Sequence, residues 1–205
     1  MSRIVQFVPD GARKRVAPAD VAACWRLHSM LVPACYALGT AQHETDFTLN
    51  EKDVEPSGYT SYGLYQIGED EMTQVGMPIA SHDPYDLDII TIVMCDLAEA
   101  RLKRICTAAR FSLSAIPRDA LAYLSIAHNQ GLGAALKTIA AHGLDWTTYK
   151  TRNLDEAQVA LAAAKTSGVA SAIATAQAKL DWWMNVFSYG DDCMTGGTFA
   201  SVLSR

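Results

Sequence analysis

The segment from Asp83-Pro84 to about Ala109 restricts the fold of this chain more than any other. Aspartate followed by proline is typical of a helix start, because aspartate caps free N–H groups and proline fits the first turn. The run Ile89–Cys95 is apolar on nearly every side, and the DLAEARLKRIC that follows is amphipathic. We therefore predict a long helix whose first half is the central buried helix of the fold.

The rest of the chain also favours helices. Their predicted positions are Pro18 to about Met30, Pro33 to Asp46, a segment from Pro117-Arg118-Asp119, 134–143, 155–165 and 169–187. No strand alternation and no internal repeat is visible, although the polar, glycine-containing stretch 48–62 could form a short helix or an irregular β-hairpin. We predict an all-α or mainly α fold.

Length and composition favour one domain over residues 1–205. Half of the residues are hydrophobic, which is enough for a full core, and a single domain usually takes about 100–200 residues. Residues 1–17 are interpreted as an N-terminal arm whose basic run, Arg13 to Arg15, is a solvated surface. Residues 188–205 contain three glycines and are interpreted as a loose C-terminal tail.

Charge and hydropathy exclude several classes of partner. A net charge of -5 argues against nucleic acid, because phosphates reward clustered lysine and arginine. The N-terminus lacks the apolar core of a secretory signal, and no stretch reaches about 18 unbroken apolar residues, so we expect no integral membrane association. We expect a monomer that needs no cofactor. Of the five cysteines at least one stays free, and a disulfide between Cys24 and Cys35 is left open.

Glu44 is the candidate catalytic residue. It lies in the last turn of a predicted helix and is followed by a polar loop. The negative end of the helix dipole and apolar surroundings both favour a protonated carboxyl group, which is the form that a general acid needs. His43-Glu44 begins like a zinc-protease helix, but Phe47 stands where the second histidine should be. There is no phosphate-binding glycine loop, no nucleophile elbow and no His or Cys cluster at ligand spacing, so we predict metal-free acid–base chemistry.

Three ordered motifs carry a family resemblance. They are Glu44-Thr45-Asp46-Phe47, then Ser57 six residues before Gly63-Leu64-Tyr65-Gln66-Ile67, then the segment 127–133 with sequence AHNQGLG. The set resembles E-S-x-F, S-x5-G-L-M-Q and A-Y-N-x-G-x-G of the soluble lytic transglycosylases and their goose-type lysozyme relatives, and it covers about residues 30–140. Thr45, Tyr65 and His128 replace the serine, methionine and tyrosine of the family.

The resemblance implies a lysozyme-like helical fold with an open cleft for peptidoglycan glycan strands. By it, Glu44 protonates the oxygen of the bond between N-acetylmuramic acid and N-acetylglucosamine, and its carboxylate then accepts the proton of the muramoyl C6 hydroxyl. That hydroxyl closes on C1 to give a 1,6-anhydromuramoyl end. The residues expected to contact the sugar are Ser57, Tyr62, Gln66, His128 and Asn129. In the family, the tyrosine of the third motif lies near the catalytic acid. Its role here would be taken by His128, by Tyr123 or by no residue.

Two alternatives remain open. Asp53 or Glu55 could be a second carboxylate, in which case the protein is a muramidase that hydrolyses the bond. The chain could also be a non-catalytic wall-binding module of a virion or secretion apparatus. Exposed aromatic rings stack on sugars, and Tyr59, Tyr62 and Tyr65 lie in the expected loop, with core packing as the alternative for Tyr65. Because the substrate lies outside the cytoplasm and no export signal is visible, we expect delivery by a phage particle, a holin or a specialised secretion system.

Overall fold

The computed structural model describes residues 13–204, so residues 1–12 of the expected arm lie outside the described part of the chain. The described residues are mainly helical, which confirms the predicted fold class. The helices are α1 (Pro18–His28), α2 (Ala34–Thr45), α3 (Glu69–Gln74), α4 (Leu87–Ala109), α5 (Asp119–Asn129), α6 (Leu132–His142), α7 (Trp146–Ser167), α8 (Ala170–Thr195) and a 3₁₀ helix (Gly197–Ser204).

A small sheet lies between α2 and α3 in the sequence. Its strands are β1 (Lys52–Val54), β2 (Thr60–Tyr62) and β3 (Ile67–Gly68), and both neighbouring pairs are antiparallel. No strand alternation is visible in the sequence, although an irregular β-hairpin is one of the two predicted options for 48–62. Strands of two or three residues are too short to show an alternating pattern, which explains why periodicity missed them.

The contacts group the described residues into two compact units. The first comprises 13–104 and 192–204, and the second comprises 105–191. The division into two units does not test the prediction of a single domain with an open saccharide-binding cleft, which stays a prediction. Each unit has a core of its own and is described separately below.

The core of the first unit is built around aromatic rings. Trp25 of α1 contacts Tyr36 of α2 and Tyr65, with ring centroids 6.0 Å and 6.2 Å apart. All three rings are buried, and Trp25 Nε1 donates a hydrogen bond of 2.7 Å to the carbonyl of Val32. That bond satisfies the indole N–H inside the core, as a buried tryptophan requires. Tyr65 is therefore a core residue rather than a sugar contact.

The apolar run in the first half of α4 is mostly buried, as predicted. Ile90, Val93 and Met94 are completely shielded from solvent. The helix begins later than Asp83-Pro84, however, because Asp86 is its capping residue: the Asp86 carboxylate accepts hydrogen bonds from the N–H groups of 88 and 89 at 2.9 Å and 3.1 Å. Asp83 instead accepts the Tyr85 N–H in a preceding turn. Two aspartates three residues apart offered two possible caps, and the second one is used.

Residues 188–204 are almost entirely helical rather than a loose tail, so the prediction for this segment is wrong over its described part. The last helix continues to Thr195 and the 3₁₀ helix follows. Cys193 is completely buried, and Phe199 packs edge-on against Phe47 with ring centroids 4.7 Å apart. Gly190, interpreted as a flexible position, instead makes room for a ring, since a Cβ there would lie 2.2 Å from Trp146.

The second unit is centred on an aromatic cluster of α5, α7 and α8. Tyr123 contacts Trp146 and Tyr149 with centroids 5.6 Å and 6.1 Å apart, and Trp146 also contacts Phe187 at 5.3 Å. The α7 helix begins at Trp146, earlier than the predicted 155, because Asp145 caps it through the Thr148 N–H. The predicted break between the last two helices falls at Gly168, as expected.

All five cysteines are buried and none of them is in a disulfide, so Cys24 and Cys35 are not bonded to each other in this structure. Within residues 13–204, no helix combines the length and apolar character that crossing a membrane requires.

Candidate active site

Glu44 lies in the last turn of α2 and is half-buried, which is the placement expected for it. The helix ends because Asp46 and Phe47 both adopt left-handed backbone conformations, with φ of 47° and 62°. Non-glycine residues adopt such angles infrequently, and two in succession need support from the surrounding structure. The backbone that follows Glu44 is thus turned sharply away from the helix axis.

The support comes from the end of the N-terminal arm. The Val16 N–H donates to the Phe47 carbonyl at 2.9 Å, and the Leu49 N–H donates to the Lys14 carbonyl at 2.8 Å. Arg15 also forms an ion pair with Asp46. The basic run was interpreted as a solvated surface, and its side chains are exposed, but its backbone pairs with the segment that follows the candidate acid. A charge run shows no apolar periodicity, so the sequence could not reveal this pairing.

A hydrogen bond connects the first motif to the second. Thr45 Oγ1, adjacent to Glu44, donates to the Leu64 carbonyl at 3.0 Å, and it also lies 3.3 Å from the Ala41 carbonyl. Leu64 is completely buried. The hydroxyl of Thr45 therefore fixes the loop 63–66 against the end of α2.

The loop itself is held in a strained form. Gly63 has a φ of 70°, and a Cβ there would lie 2.3 Å from the Pro84 carbonyl oxygen, so a side chain has no room. Gln66 has a φ of 50°. Its Nε2 donates to the Gly63 carbonyl at 2.9 Å, and its Oε1 accepts from Ser61 Oγ at 2.9 Å. One donor and one acceptor site of the amide are not used by these two bonds and can serve a ligand.

Ser57 and Glu55 lie in the exposed turn between β1 and β2. Ser57 Oγ donates to Glu55 Oε2 at 3.1 Å and accepts the Tyr59 N–H at 3.2 Å. Both residues therefore stabilise their own turn, which is the role that serine frequently has in turns. Their expected roles, a sugar contact for Ser57 and a second carboxylate for Glu55, stay predictions.

The pairing of β1 with β2 shows which face of the sheet carries Asp53. Asp53 pairs directly with Ser61, whose hydroxyl binds Gln66. Directly opposed residues of an antiparallel pair have their side chains on the same face of the sheet. Asp53 is therefore on the face that carries Ser61, while Lys52 is on the other face, where its Nζ lies 5.5 Å from the Tyr62 ring centroid.

The three tyrosines expected to stack on sugars have different environments. Tyr65 is in the core, and Tyr62 is half-buried against Tyr85 with centroids 6.3 Å apart. Burial raises the pKa of Tyr62. Tyr59 is 41% exposed and lines a shallow depression of about 590 Å³ together with residues 58, 60, 69, 70 and 73. Of the three, Tyr59 is the ring most available to a ligand.

The third motif lies in the second unit. His128 and Asn129 are the last residues of α5; His128 is half-buried with its ring centroid 6.5 Å from that of Tyr189, and Asn129 is exposed. The expectation that they act together with Glu44 stays a prediction. Tyr123, which the motif resemblance left as the alternative to His128, is completely buried in the aromatic cluster, and burial raises its pKa. Tyr123 is therefore a core residue.

Asn129 lines a pocket of about 210 Å³ in the second unit. Its other lining residues are Ser125, Ile126, Gln130, Trp182, Asn185, Val186 and Tyr189. Three side-chain amides and an indole that is 44% exposed line this pocket, which is suitable chemistry for a sugar ring with N-acetyl and hydroxyl groups. Motif reasoning did not assign Asn185. The signal available in the sequence was the spacing of Trp182, Asn185 and Tyr189, which places them on one helix face.

Sequence reasoning also missed a cluster of metal-binding side chains. It found no His or Cys cluster at ligand spacing, yet potential ligand atoms of Cys24, His28 and Asp88 lie within 4.8 Å of one another. Cys24 and His28 are four residues apart on α1 and so share a helix face, which was the visible signal. The third member is 60 residues later in the sequence and could not be associated with them by spacing.

Within the first unit, the half-buried carboxyl group of Glu44 lies at a helix end that is hydrogen-bonded to the loop 63–66, and the Gln66 amide of that loop has one donor and one acceptor site left for a ligand. No protein-family model, no curated protein and no solved structure matches this chain.

Proposed function

We propose that this protein is a lytic transglycosylase that cleaves the bond between N-acetylmuramic acid and N-acetylglucosamine in peptidoglycan. The observation that carries the proposal is the hydrogen bond from Thr45 Oγ1 to the Leu64 carbonyl, because it joins the Glu44 motif to the Gln66 motif. Two motifs that the sequence shows only as a pattern are thereby joined by a bond between residues 19 positions apart.

In the proposed mechanism Glu44 acts twice. Its carboxyl group first protonates the glycosidic oxygen, and its carboxylate then accepts the proton of the muramoyl C6 hydroxyl as that oxygen bonds to C1. No water and no second carboxylate take part, whereas an inverting hydrolase needs a base about 6.5–9.5 Å from the acid and a retaining one needs a nucleophile at about 5–5.5 Å. A single carboxylate at a well-fixed helix end is sufficient for this chemistry.

The proposed sugar contacts use side chains with remaining hydrogen-bonding capacity. Gln66 can offer one N–H and one oxygen lone pair beyond the bonds that fix its loop. In the second unit, Asn129 and Asn185 can bind N-acetyl groups while Trp182 stacks on a ring face. Tyr62, Ser57 and His128 are proposed as further contacts on the strength of the motif resemblance.

A specific observation favours a hydrolytic muramidase as the second candidate. Asp53 shares a sheet face with Ser61, the hydroxyl partner of Gln66, whereas Glu55 is hydrogen-bonded within its own turn. If a water-activating carboxylate exists, we therefore propose Asp53 for that role rather than Glu55. The substrate also implies delivery outside the cytoplasm, which we propose occurs through a phage particle, a holin or a specialised secretion system.

The decisive experiment is mass spectrometry of purified sacculi after digestion with the wild type, Glu44→Gln and Asp53→Asn. A matched control is Glu51→Gln, the same chemical change at the residue preceding β1. We expect anhydromuramoyl ends from the wild type, Glu51→Gln and Asp53→Asn, and none from Glu44→Gln. Reducing ends that disappear in Asp53→Asn would assign hydrolysis. Folded wild type that binds sacculi but releases no glycan would establish the non-catalytic wall-binding module instead.

A further inference from the structure

A mixed set of sulfur, nitrogen and oxygen donors lies between α1 and the first turn of α4. Cys24 and His28 come from one face of α1, and Asp88 comes from α4. The Cys24 thiol donates to Asp88 Oδ1 at 3.1 Å, and His28 Nε2 lies 3.9 Å from the same oxygen. Neither the family resemblance nor the proposed reaction uses these residues.

We propose that Cys24, His28 and Asp88 form a binding site for a divalent transition-metal ion of the zinc type. Zinc is bound by thiolate, imidazole and carboxylate at about 2.0–2.3 Å, so its ligand atoms lie roughly 3.2–3.8 Å from one another in a tetrahedral site. Here the three atoms are at most 4.8 Å apart, so side-chain rotations that move them by about 1 Å complete the geometry. A fourth position remains for water.

The charges of the three ligands match such an ion. A thiolate and a carboxylate contribute two negative charges, and a neutral imidazole contributes none, so a divalent cation gives a neutral site. On binding, the Cys24 S–H bond breaks, its proton passes to the solvent, and a sulfur–metal bond forms. A thiolate donor disfavours Mg²⁺ and Ca²⁺, which prefer oxygen ligands, and the combination of sulfur with imidazole favours zinc.

The Asp88 carboxylate is available to a metal ion because Asp86, and not Asp88, caps the start of α4. Asp86 Oδ1 already accepts the N–H groups of 88 and 89, so Asp88 is not needed as a cap. The Asp88 side chain is 73% exposed and that of His28 is 28% exposed, while Cys24 is buried. An ion can therefore enter from the solvent side and reach the sulfur.

A buried hydroxyl supports a thiolate at this position. Thr91 lies one turn after Asp88, is completely buried, and its Oγ1 makes no hydrogen bond of normal geometry with any described residue. The Thr91 hydroxyl lies near the Cys24 sulfur. A metal-bound thiolate is a better acceptor than a thiol, so binding would give the Thr91 hydroxyl a partner. Such supporting hydrogen bonds orient metal ligands.

The test is a titration of the reduced, chelator-treated full chain with Co²⁺, followed by displacement with Zn²⁺. We expect one equivalent to bind, with thiolate-to-cobalt charge-transfer absorption and the visible bands of a tetrahedral ion, and Zn²⁺ to abolish both. Cys24→Ser should lose the charge-transfer band, and His28→Ala should lose the visible bands. Cys106→Ser is the matched control, because it removes another buried thiol outside the cluster and should bind as the wild type does.

Further variants keep the result interpretable. Thr91→Val should weaken the affinity about 10–100-fold without changing the number of bound ions, which is typical of a residue that orients a ligand. If Cys24→Ser fails to fold by circular dichroism, His28→Ala at the helix terminus decides the question. Wild-type protein without a thiolate band, or a band that survives in Cys24→Ser or disappears in Cys106→Ser, would overturn the proposal. None of these outcomes depends on glycan cleavage.

Discussion

Replacing Thr45 by valine should separate the structural contribution of its hydroxyl from that of its shape. The substitution keeps the branched side chain but removes the donor to the Leu64 carbonyl. The Ala41 carbonyl, the other nearby acceptor, already accepts the N–H groups of Asp46 and Phe47, so its loss is small. The main effect is therefore on the Leu64 carbonyl, which loses its donor in a residue that is completely buried.

The expected loss of stability follows from leaving the buried Leu64 carbonyl without a hydrogen-bond donor. Such a group costs about 1–3 kcal/mol, compared with about 0.5–1.5 kcal/mol for an ordinary hydrogen bond whose partner can return to water. A loss of 1 kcal/mol lowers the melting temperature by about 2–4 °C in a protein of this size. We thus expect Thr45→Val to melt roughly 2–12 °C below the wild type.

Thr45→Ser is the matched control, because serine retains the hydroxyl and loses only a methyl group. Urea unfolding of the three proteins gives the free energies, and digestion of sacculi gives the rates. Under the proposed function, Thr45→Val also slows glycan cleavage at temperatures where it is fully folded, since the Gln66 loop is no longer fixed to the Glu44 helix end. Equal stability of Thr45→Val and Thr45→Ser would refute the assignment of the Thr45–Leu64 bond as a structural link.

Three further predictions concern packing, pH and binding. Gly39→Ala should lower the free energy of unfolding in urea by about 1–3 kcal/mol, because the new Cβ would lie 2.5 Å from backbone atoms of Asp192. In the control Gly133→Ala the new Cβ meets no atom within 4 Å, so the free energy of unfolding should rise by up to about 1 kcal/mol. Burial raises the pKa of Tyr85 to about 12. The folded state therefore retains that proton longer than the unfolded chain, stability falls as the pH rises from about 10 to 12, and Tyr85→Phe should flatten this decline without loss at neutral pH. Trp182→Ala should weaken binding of chitooligosaccharides roughly tenfold, about 1.4 kcal/mol, while Trp182→Phe retains most of it, as measured by calorimetry; unchanged binding in the alanine variant would exclude the pocket as a sugar site.

The sequence was sufficient for features that depend on local chemistry. Prolines predicted where α1 and α2 begin, and the apolar run predicted the burial within α4, because caps and periodicity act within one element. The starts of α4 and α7 differ from the predicted ones. The end of α2 beside Glu44 followed from the same kind of signal. What it could not provide was pairing between distant segments: the backbone bonds of Lys14 and Val16, and the packing of Phe199 on Phe47, have no pattern in the local sequence. Glycines of the last segment were interpreted as flexible although one of them accommodates a tryptophan ring.

The register of β1 against β2 leaves Asp53 as the candidate for a second carboxylate. The choice between the two proposed reactions therefore depends on the role of this residue. Because side chains alternate along a strand, a shift of one residue would place Lys52 or Val54 opposite Ser61 and remove any carboxylate from the face that Ser61 occupies. With the observed register, Asp53 is on that face, and Glu55 lies beyond the strand in a turn that uses its carboxylate. Loss of reducing ends in Asp53→Asn but not in Glu55→Gln would therefore support both the hydrolytic mechanism and this register. Anhydro ends unaffected by either change would leave Glu44 as the sole carboxylate that the reaction requires, which is the case that an internal C6 nucleophile predicts.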